Sequence, residues 1–256
     1  MNTIPLPTSF EVQDQSANRS VISLSPCYPG YGTTLGNALR RVLLSSLQGA
    51  AIKAVQFNGV HHEFTTIEHV KEDIVGIILN LKQLRFKLQG EDDIQVKLKV
   101  KGEKVVTSGD IEPNAQVEVA DPKQPIATIT DKQGVLEMEM TIGLGRGYDP
   151  VEGREADKLP VGFIAVDSIF TPVRRVNFIT ENVRVGQMTN FEKMTLDIET
   201  DGTIAPSTAL QQAVGILVEQ FNWLDQQVKG ETNMSTDAAD VADTKEDSVE
   251  TVEEKE

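Results

Sequence analysis

The sequence has little of several residue types, and each scarcity excludes a class of protein. One cysteine, Cys27, in 256 residues cannot form an internal disulfide, which is typical of chains from a reducing compartment. Lys and Arg number 24 against 39 Asp and Glu, a formal net charge of −15, so nucleic-acid phosphates would find few cationic partners. No apolar run approaches the roughly 18 residues of a membrane span, and no signal-peptide pattern is present. These features predict a cytoplasmic protein without direct nucleic-acid or membrane binding.

The residues that are present suffice for a folded core and one polar tail. The apolar content of 39% allows one large domain or two small ones. Residues 231–256 carry about half of the net negative charge and contain no Phe, Tyr, Trp, Leu or Ile. Such a segment cannot offset the entropy of ordering, so we expect a disordered acidic tail. A tail of this kind can bind a partner by mimicking DNA, but its composition favours a solubilising role.

Residue types suited to catalysis or metal binding do not form a usable pattern. Because His61 and His62 are adjacent on a predicted strand, they point to opposite faces, and His69 lies beyond it. Cys27 has no base at a readable spacing. The glycines of residues 143–150 resemble a phosphate loop, but Tyr-Asp-Pro follows them instead of a helix start, which favours a turn. The sequence therefore predicts no catalytic residue, no metal site and no cofactor.

Residues 31–46 predict an amphipathic helix with an unusual outer face. At about 100° per residue, one side collects the apolar positions. These are Leu35, Ala38, Leu39, Val42, Leu43 and Ser46. Arg40, Arg41 and Leu44 share the other side, where an apolar side chain among guanidinium groups indicates a docking surface. A single exposed leucine is also ordinary on a protein surface, so the helix alone leaves both readings open.

The ends of this helix and one interior glycine carry further expectations. Thr33 or Thr34 can accept a hydrogen bond from a free amide of the first turn, and Gly49 can supply the left-handed conformation of a C-cap. Gly36 costs on the order of 1 kcal/mol relative to alanine inside a helix. Its presence therefore indicates close packing against another helix.

A second helix is predicted after a hairpin. Asn58-Gly59 favours a tight turn between extended runs on either side, because both residues tolerate positive φ. Thr65 and Glu68 form a capping box that predicts a helix over residues 67–84. Its expected buried stripe is Ile67, Val70, Ile74, Ile77, Ile78 and Leu81.

Most of the remaining chain predicts antiparallel sheet. Residues 94–100 and 136–140 alternate between apolar and charged side chains, which is typical of half-exposed strands. Further strands are expected near residues 19–24, 174–179 and 194–198. The order is helix-rich at both ends and strand-rich between them, which indicates an inserted central block.

The last predicted helix begins at Pro206, a residue that suits a first helical position. Apolar residues then follow at alternating spacings of four and three, as in a coiled-coil seam. They are Leu210, Val214, Leu217, Phe221, Leu224 and Val228. A seam under three heptads is marginal alone, so it must pack on something preformed. Periodicity leaves open whether that is a second copy or the chain's own sheet.

The segment LGNALRRVLLSS at residues 35–46 resembles the signature helix of the bacterial-type RNA polymerase alpha-subunit family, in its amino-terminal assembly domain. Further segments are similar to that family in the same order. They are NGVHHEF (58–64), EDIVGIILNLKQL (72–84), GRGY (145–148), VDSIFTPVRRV (166–176) and LDIETDGTIAP (196–206). The resemblance extends from about residue 20 to about residue 229.

The resemblance implies an α+β fold made of two subdomains. Residues 1–48 and 172–230 would form a dimerisation subdomain of helices and antiparallel strands. Residues 49–171 would form an inserted, mostly-β subdomain, followed by the tail at 231–256. The first and last helices would pack on their copies in a second subunit. The implied dimer interface is Leu35, Gly36, Leu39, Leu210, Val214, Leu217, Phe221 and Leu224.

The resemblance also implies a function, that of a non-catalytic subunit of DNA-directed RNA polymerase, a nucleotidyltransferase. Such a subunit homodimerises and gathers the catalytic beta and beta-prime subunits in a complex that also holds omega. The implied partner-facing residues are Arg40, Arg41, Leu44, Lys82 and Val166. Most family members continue into a small DNA-binding domain where this sequence has its acidic tail, so either the lineage lacks that domain or the sequence is a shortened form. The alternatives are a free-standing regulatory or interaction protein of related fold, and an independent enzyme.

Overall fold

The computed structural model describes residues 4–60, 62–153, 160 and 162–243, with side chains described as far as residue 229. Within these residues the α-helices are α1 (Tyr31–Ser45), α2 (Ile74–Leu81) and α3 (Pro206–Asp243). All paired strands among them run antiparallel. The predicted α+β class is confirmed.

Strands from both ends of the chain form one four-stranded sheet. They are β1 (Ser9–Ser16), β2 (Arg19–Cys27), β13 (Val173–Val185) and β14 (Met188–Thr200). Their order across the sheet is β1-β2-β14-β13. The chain leaves this sheet through α1 and returns at β13, so the segment between the two visits builds separate structure.

That segment forms a six-stranded sheet and two short strand pairs. The sheet contains β3 (Gln48–Phe57), β4 (Phe86–Leu88), β5 (Ile94–Lys101), β7 (Val117–Val119), β9 (Val135–Arg146) and β11 (Ile164–Ala165). Five of these strands lie in the order β5-β9-β3-β4-β7, and β11 pairs with β3. The short pairs are β6 (Lys104–Thr107) with β8 (Pro125–Ile129), and β10 (Tyr148–Asp149) with β12 (Ser168–Ile169).

The core between the six-stranded sheet and α2 follows the predicted alternation. Leu98 of β5 and Leu136 of β9 are buried, while Lys97 and Lys99 point outward and pair with glutamates of β9. From α2, the core receives Ile74, Ile77, Ile78 and Leu81. These strands and the C-terminal part of the predicted apolar stripe are as the sequence indicated.

The N-terminus of α1 is capped by a residue distant in sequence, and the expected threonine caps are wrong. The Glu192 carboxylate of β14 accepts hydrogen bonds from the backbone N–H groups of Gly30 and Gly32, both at 2.9 Å. Thr34 uses its hydroxyl as a donor, to the Gly30 carbonyl at 3.0 Å, and no side chain from within the helix caps it. The carboxylate satisfies free amides and complements the positive end of the helix dipole.

Two glycines have causes other than those expected. Gly36 is buried under the ring of Phe178 in β13, where a Cβ atom would lie 2.5 Å from the ring, so within this chain an aromatic side chain replaces the expected helix contact. Gly49 does not end α1, which stops at Ser45. It lies in β3, where a Cβ atom would collide with the carbonyl oxygen of Phe170.

The second helix begins later than the capping box predicts. Asp73 is the N-cap and accepts from the Gly76 N–H at 2.7 Å. The Thr65 hydroxyl instead donates to the His62 carbonyl at 3.1 Å, and His69 has a φ of 64°, which breaks a helix. Val70 forms a bridge to Ile129 of β8. The segment before α2 therefore turns and bridges to β8 at Val70 without forming a helix, so backbone pairing there outweighs helix propensity.

The hairpin at Asn58-Gly59 is only half formed. Gly59 has the positive φ, 78°, that the turn requires, and β3 leads into it. Among the described residues 60 and 62–64, however, there is no returning strand, and His61 lies outside the described residues.

Helix α3 begins at Pro206, as predicted. Ala209 and Ala213 are fully buried in its first turns. The structure separates into two compact units, one through Ala213 and one from Val214. The composition predicts disorder from residue 231, but the helix continues to Asp243. An existing helix can add residues without a new nucleation cost. Residues 244–256 lie outside the described residues, and the predicted subdomain bounds stay a prediction.

Replacing Glu192 by alanine should destabilise the chain. The Glu192→Ala variant leaves the Gly30 and Gly32 amides without an acceptor, and the loss of a helix cap costs about 1 kcal/mol. Urea unfolding at one fixed chain concentration measures the free energy of unfolding. Glu181→Ala, at an exposed acid of the neighbouring strand, is the control and should unfold like the unchanged chain. Equal midpoints for the two variants would contradict the capping role.

Candidate functional site

The outer side of α1 presents two arginines to solvent. The helix contacts β13 and β14 through its inner side, where Gly32, Gly36 and Leu43 are buried. Arg40 and Arg41 are exposed and Leu44 is half-buried. Neither guanidinium forms an ion pair within the part of the chain that the structure describes. We call these three residues the arginine face.

The apolar stripe of α1 is incompletely covered by the chain itself. Leu35 and Leu39 are half-buried, although a stripe packed fully against the sheet would be inaccessible. Only Leu43 among the predicted stripe residues is buried. The uncovered portion is apolar surface that remains available to another molecule.

The predicted seam of α3 is exposed beyond its first turns. Leu210 is buried, but Phe221 is 63% exposed, and Val214 and Leu224 are exposed as well. Leu217 is half-buried. Two neighbouring exposed residues, Val218 and Trp223, were not expected, because they fall outside the alternating spacing of the seam. The helix thus offers an apolar surface wider than one coiled-coil stripe.

A second candidate docking surface lies beside α2. It is a hollow of about 380 Å³ with exposed apolar side chains at its rim, Phe64, Val75 and Leu79. Phe64 is 81% exposed. Lys82 and Asp167 also line this α2 hollow, and no residue of the arginine face is among its described lining residues. The sequence does contain a signal for it, since Val75 and Leu79 lie four residues apart on the helix side opposite the core.

An ion pair shapes one side of the α2 hollow. Lys82 Nζ lies 2.8 Å from Asp167 Oδ2, and the backbone N–H of Val151 donates to Asp167 Oδ1 at 2.9 Å. The Lys82 hydrogen bond, with those from Val151 and the Tyr148 side chain, holds the pKa of Asp167 below its ordinary value. The carboxylate therefore ties the end of α2 to the segment after β9.

The two predicted partner-facing residues outside α1 have different surroundings. Lys82 is half-buried and at the edge of the hollow, where its ammonium group remains accessible. Val166 is 1% exposed, and its backbone N–H donates to the Lys53 carbonyl at 2.9 Å. In this chain Val166 supports the floor of the hollow from the core and does not face outward. The sequence pattern of its segment carries no signal of this burial.

The described residues contain no cluster suited to a metal ion. No group of three or more His, Cys, Asp or Glu among them could hold a metal ion. The Cys27 thiol is buried, which raises its pKa and keeps it protonated. No α-helix in the described part of the chain is long and apolar enough to cross a membrane.

Comparison with known proteins gives consistent matches. The alpha subunit of DNA-directed RNA polymerase from Alkaliphilus oremlandii is 48% identical over 200 residues, which are 78% of this chain and 63% of that protein. The alpha subunit from Moorella thermoacetica is 46% identical over 86% of this chain and 71% of its own length. That from Roseiflexus sp. is 42% identical over 95% and 77%.

The chain belongs to the RNA polymerase alpha-subunit family. The resemblance read from the α1 segment is thereby confirmed. This chain spans 63% of the length of the Alkaliphilus alpha subunit. The family model described as the RNA polymerase Rpb3/RpoA insert domain matches residues 55–171, a range that begins within β3 and ends before β13. In this alpha-family chain, the α2 hollow lies inside the matched range, and the arginine face and the α3 seam lie outside it.

Acid should weaken the Lys82–Asp167 link in a defined pH range. Because the folded pKa of Asp167 lies below the ordinary value of 3.8, its contribution is present above that value and is lost as pH falls through the folded pKa. Asp167→Asn should therefore lower the free energy of unfolding, measured in urea at pH 7, by at most about 1 kcal/mol for a partly exposed pair. The difference should shrink as pH falls below 3.8.

Asp92→Asn, at an exposed aspartate, removes the same charge without that ion pair and is the control. A gap between Asp167→Asn and the unchanged chain that persists undiminished in acid would contradict the assigned cause.

Proposed function

We propose that the chain homodimerises and serves as the assembly scaffold for the catalytic beta and beta-prime subunits of RNA polymerase, in a complex that also contains omega. The observation that carries this proposal is that apolar residues of α3 and two arginines of α1 are exposed to solvent. An apolar seam and a pair of exposed guanidinium groups lie on helices that otherwise pack normally. Family membership supports the proposal, since every alignment described above is to an alpha subunit.

The dimer interface would combine the α3 seam with the half-covered stripe of α1. An exposed Phe221 with exposed apolar neighbours on one helix is unfavourable in water, and burial is worth roughly 25 cal/mol per Å² of apolar surface. A second copy presents the same surface, so the contact can be self-complementary about a twofold axis. Leu35 and Leu39 of α1 would also contribute to the dimer contact. The exposure of Phe221 and Leu224 supports this contact over packing of the seam on the chain's own sheet.

The arginine face would dock the beta subunit. A guanidinium group is a planar fork that binds carboxylates with two parallel hydrogen bonds, and Leu44 beside it supplies apolar contact. Arginines that become buried in an interface are frequent among the few residues that dominate binding. Arg41 is the residue we expect to contribute most.

The α2 hollow would be the second surface, used for beta-prime. Phe64 and Leu79 at its rim can receive an apolar side chain, while Lys82 offers a positive charge beside them. Because Lys82 already pairs with Asp167, a partner acid would share the ammonium group and would not find a lone charge. In a homodimer each surface occurs twice, and one copy would engage mainly beta and the other beta-prime.

The proposed contribution to transcription is proximity. A scaffold that holds two large subunits in one particle turns their encounter into an intramolecular one. Nucleotide addition would be performed by the partners, in the cytoplasm, and this chain would take no catalytic step. A free-standing regulator of related fold would show the same exposed seam but would not co-purify with large catalytic subunits.

Arg41→Ala should separate dimerisation from beta binding. The substitution removes a guanidinium fork from the outer side of α1 and leaves the inner stripe intact, so the dimer should persist. Loss of a central interface arginine costs about 2 kcal/mol or more in binding, so beta recovered in a pull-down should fall sharply. Light scattering on the isolated variant checks the dimer.

Arg184→Ala is the matched control, because this exposed arginine near the end of β13 donates to the Gly186 carbonyl and forms no ion pair among the described residues. If Arg41→Ala recovers as much beta as Arg184→Ala, the arginine face does not bind beta. If the unchanged chain recovers neither large subunit, the scaffold proposal itself is wrong.

A further inference from the structure

A buried ion pair connects the two sheets of the molecule. Arg85 lies just after α2 in the block of the six-stranded sheet, and Asp201 follows β14 of the four-stranded sheet. Arg85 Nε is 3.4 Å from Asp201 Oδ2, with side chains 15% and 2% exposed. Among the ion pairs of the described residues, no other joins these two sheets.

Each partner of this pair is anchored in its own block. Arg85 donates from Nη1 to the carbonyl oxygens of Lys82 and Leu84, at 2.8 and 2.9 Å, at the C-terminal end of α2. Lys82 is the C-cap residue of α2, so the guanidinium lies near the negative end of the helix dipole, where a cation is favourable. Asp201 accepts from the Thr203 backbone N–H at 2.9 Å and from its hydroxyl at 2.6 Å. Neither charge is a loose surface side chain.

A backbone hydrogen bond also holds Asp201 beside the point where the chain returns to the four-stranded sheet. The Asp201 N–H donates to the carbonyl of Pro172 at 3.0 Å, and Pro172 lies where the chain returns from the inserted segment to β13. The chain crosses between the sheets twice, after α1 and before β13. Two covalent crossings leave the blocks free to rotate about the line that joins them, and the buried Arg85–Asp201 pair is a non-covalent contact between the blocks that restricts this rotation.

The electrostatics make this contact close to all-or-none. Burial lowers the pKa of Arg85, the nearby Asp201 carboxylate opposes that effect, and Arg174 adds to it. A guanidinium group stays protonated in proteins, so a rotation that separated the pair would leave a buried charge without its counter-ion. Arg85 Nε makes no well-aligned hydrogen bond among the described residues, so the attraction to Asp201 is mainly electrostatic.

We infer that the Arg85–Asp201 pair sets the angle between the two sheets and so presents the arginine face and the α2 hollow in one fixed geometry. Arg85 is the bridge, since it holds the carbonyl of Lys82 at the edge of the hollow with one nitrogen and Asp201 with another. The role in presentation rests on the proposed scaffold function. The role in fixing the angle does not.

A distance measurement on the isolated chain tests the angle directly. Spin labels are placed at Lys101→Cys on β5 and Glu181→Cys on β13, both exposed, in a Cys27→Ala background. Labelled chain is diluted into excess unlabelled chain, so that each particle carries one labelled copy whether or not it dimerises. Pulsed dipolar spectroscopy should give a single narrow distance distribution, which Asp201→Asn should broaden or shift.

Two further variants complete the test. Arg175→Gln with Glu199→Gln removes an exposed ion pair within the four-stranded sheet and should leave the distribution narrow. If Asp201→Asn unfolds because a lone guanidinium is buried, the double variant Arg85→Gln with Asp201→Asn, which buries no charge, carries the measurement. A distribution in the folded Asp201→Asn or double variant that matches the unchanged chain would overturn the inference.

An assembly arm separates this inference from the scaffold proposal. Asp201→Asn should keep the dimer mass and lose beta-prime recovery in a pull-down, because the α2 hollow no longer holds its place relative to the arginine face. If Asp201→Asn broadens the distances but the unchanged chain recovers no large subunit, the role of the Arg85–Asp201 pair in fixing the angle stands and the scaffold proposal fails. If the unchanged chain assembles and Asp201→Asn leaves the distances narrow, the scaffold proposal stands and the role of the pair in fixing the angle is wrong.

Discussion

Apolar side chains that the chain leaves in water are the constraint on which the rest of this structure depends. The first turns of α3 are anchored through buried Ala209 and Ala213, yet Phe221 and its apolar neighbours farther along are exposed. A helix that is apolar on a side with nothing against it is stabilised mainly by whatever covers that side. The half-covered stripe of α1 makes the same demand. A second copy is the occupant proposed for each of these surfaces.

The acidic character of the chain gives its few outward cations significance. With a net charge of −15, most lysines of the six-stranded sheet are neutralised by glutamates on adjacent strands, as with Lys97 and Lys99. Arg40 and Arg41 are exposed on a helix and have no ion pair in the described residues. Two exposed guanidinium groups thus lie where a docking role is proposed, and the buried Arg85–Asp201 pair would hold that region at a fixed angle to the α2 hollow.

The sequence predicted what depends on local periodicity and missed what depends on distant contacts. The alternation in β5 and β9 and the proline start of α3 are local, and the structure has them. The cap of α1 comes from Glu192, more than 150 residues away, and no local pattern contains it. The capping box at Thr65 satisfied its sequence rule, but the Thr65 hydroxyl donates to the His62 carbonyl and α2 begins only at Ile74. The exposure of Arg41 followed from the helix period, whereas the burial of Val166 needed the fold. Family membership came from segment resemblance, since composition alone indicated only a folded, acidic chain.

The molar mass of the isolated chain in solution tests the central claim most directly. Light scattering coupled to size-exclusion chromatography at micromolar concentration should give about 56 kDa, twice the 28.1 kDa of one chain. Phe221→Glu, which places a charge in the α3 seam, should reduce the mass to that of one chain, because an unpaired charge cannot be buried there. A mass of 28.1 kDa for the unchanged chain, or a dimer unaffected by Phe221→Glu, would contradict the account.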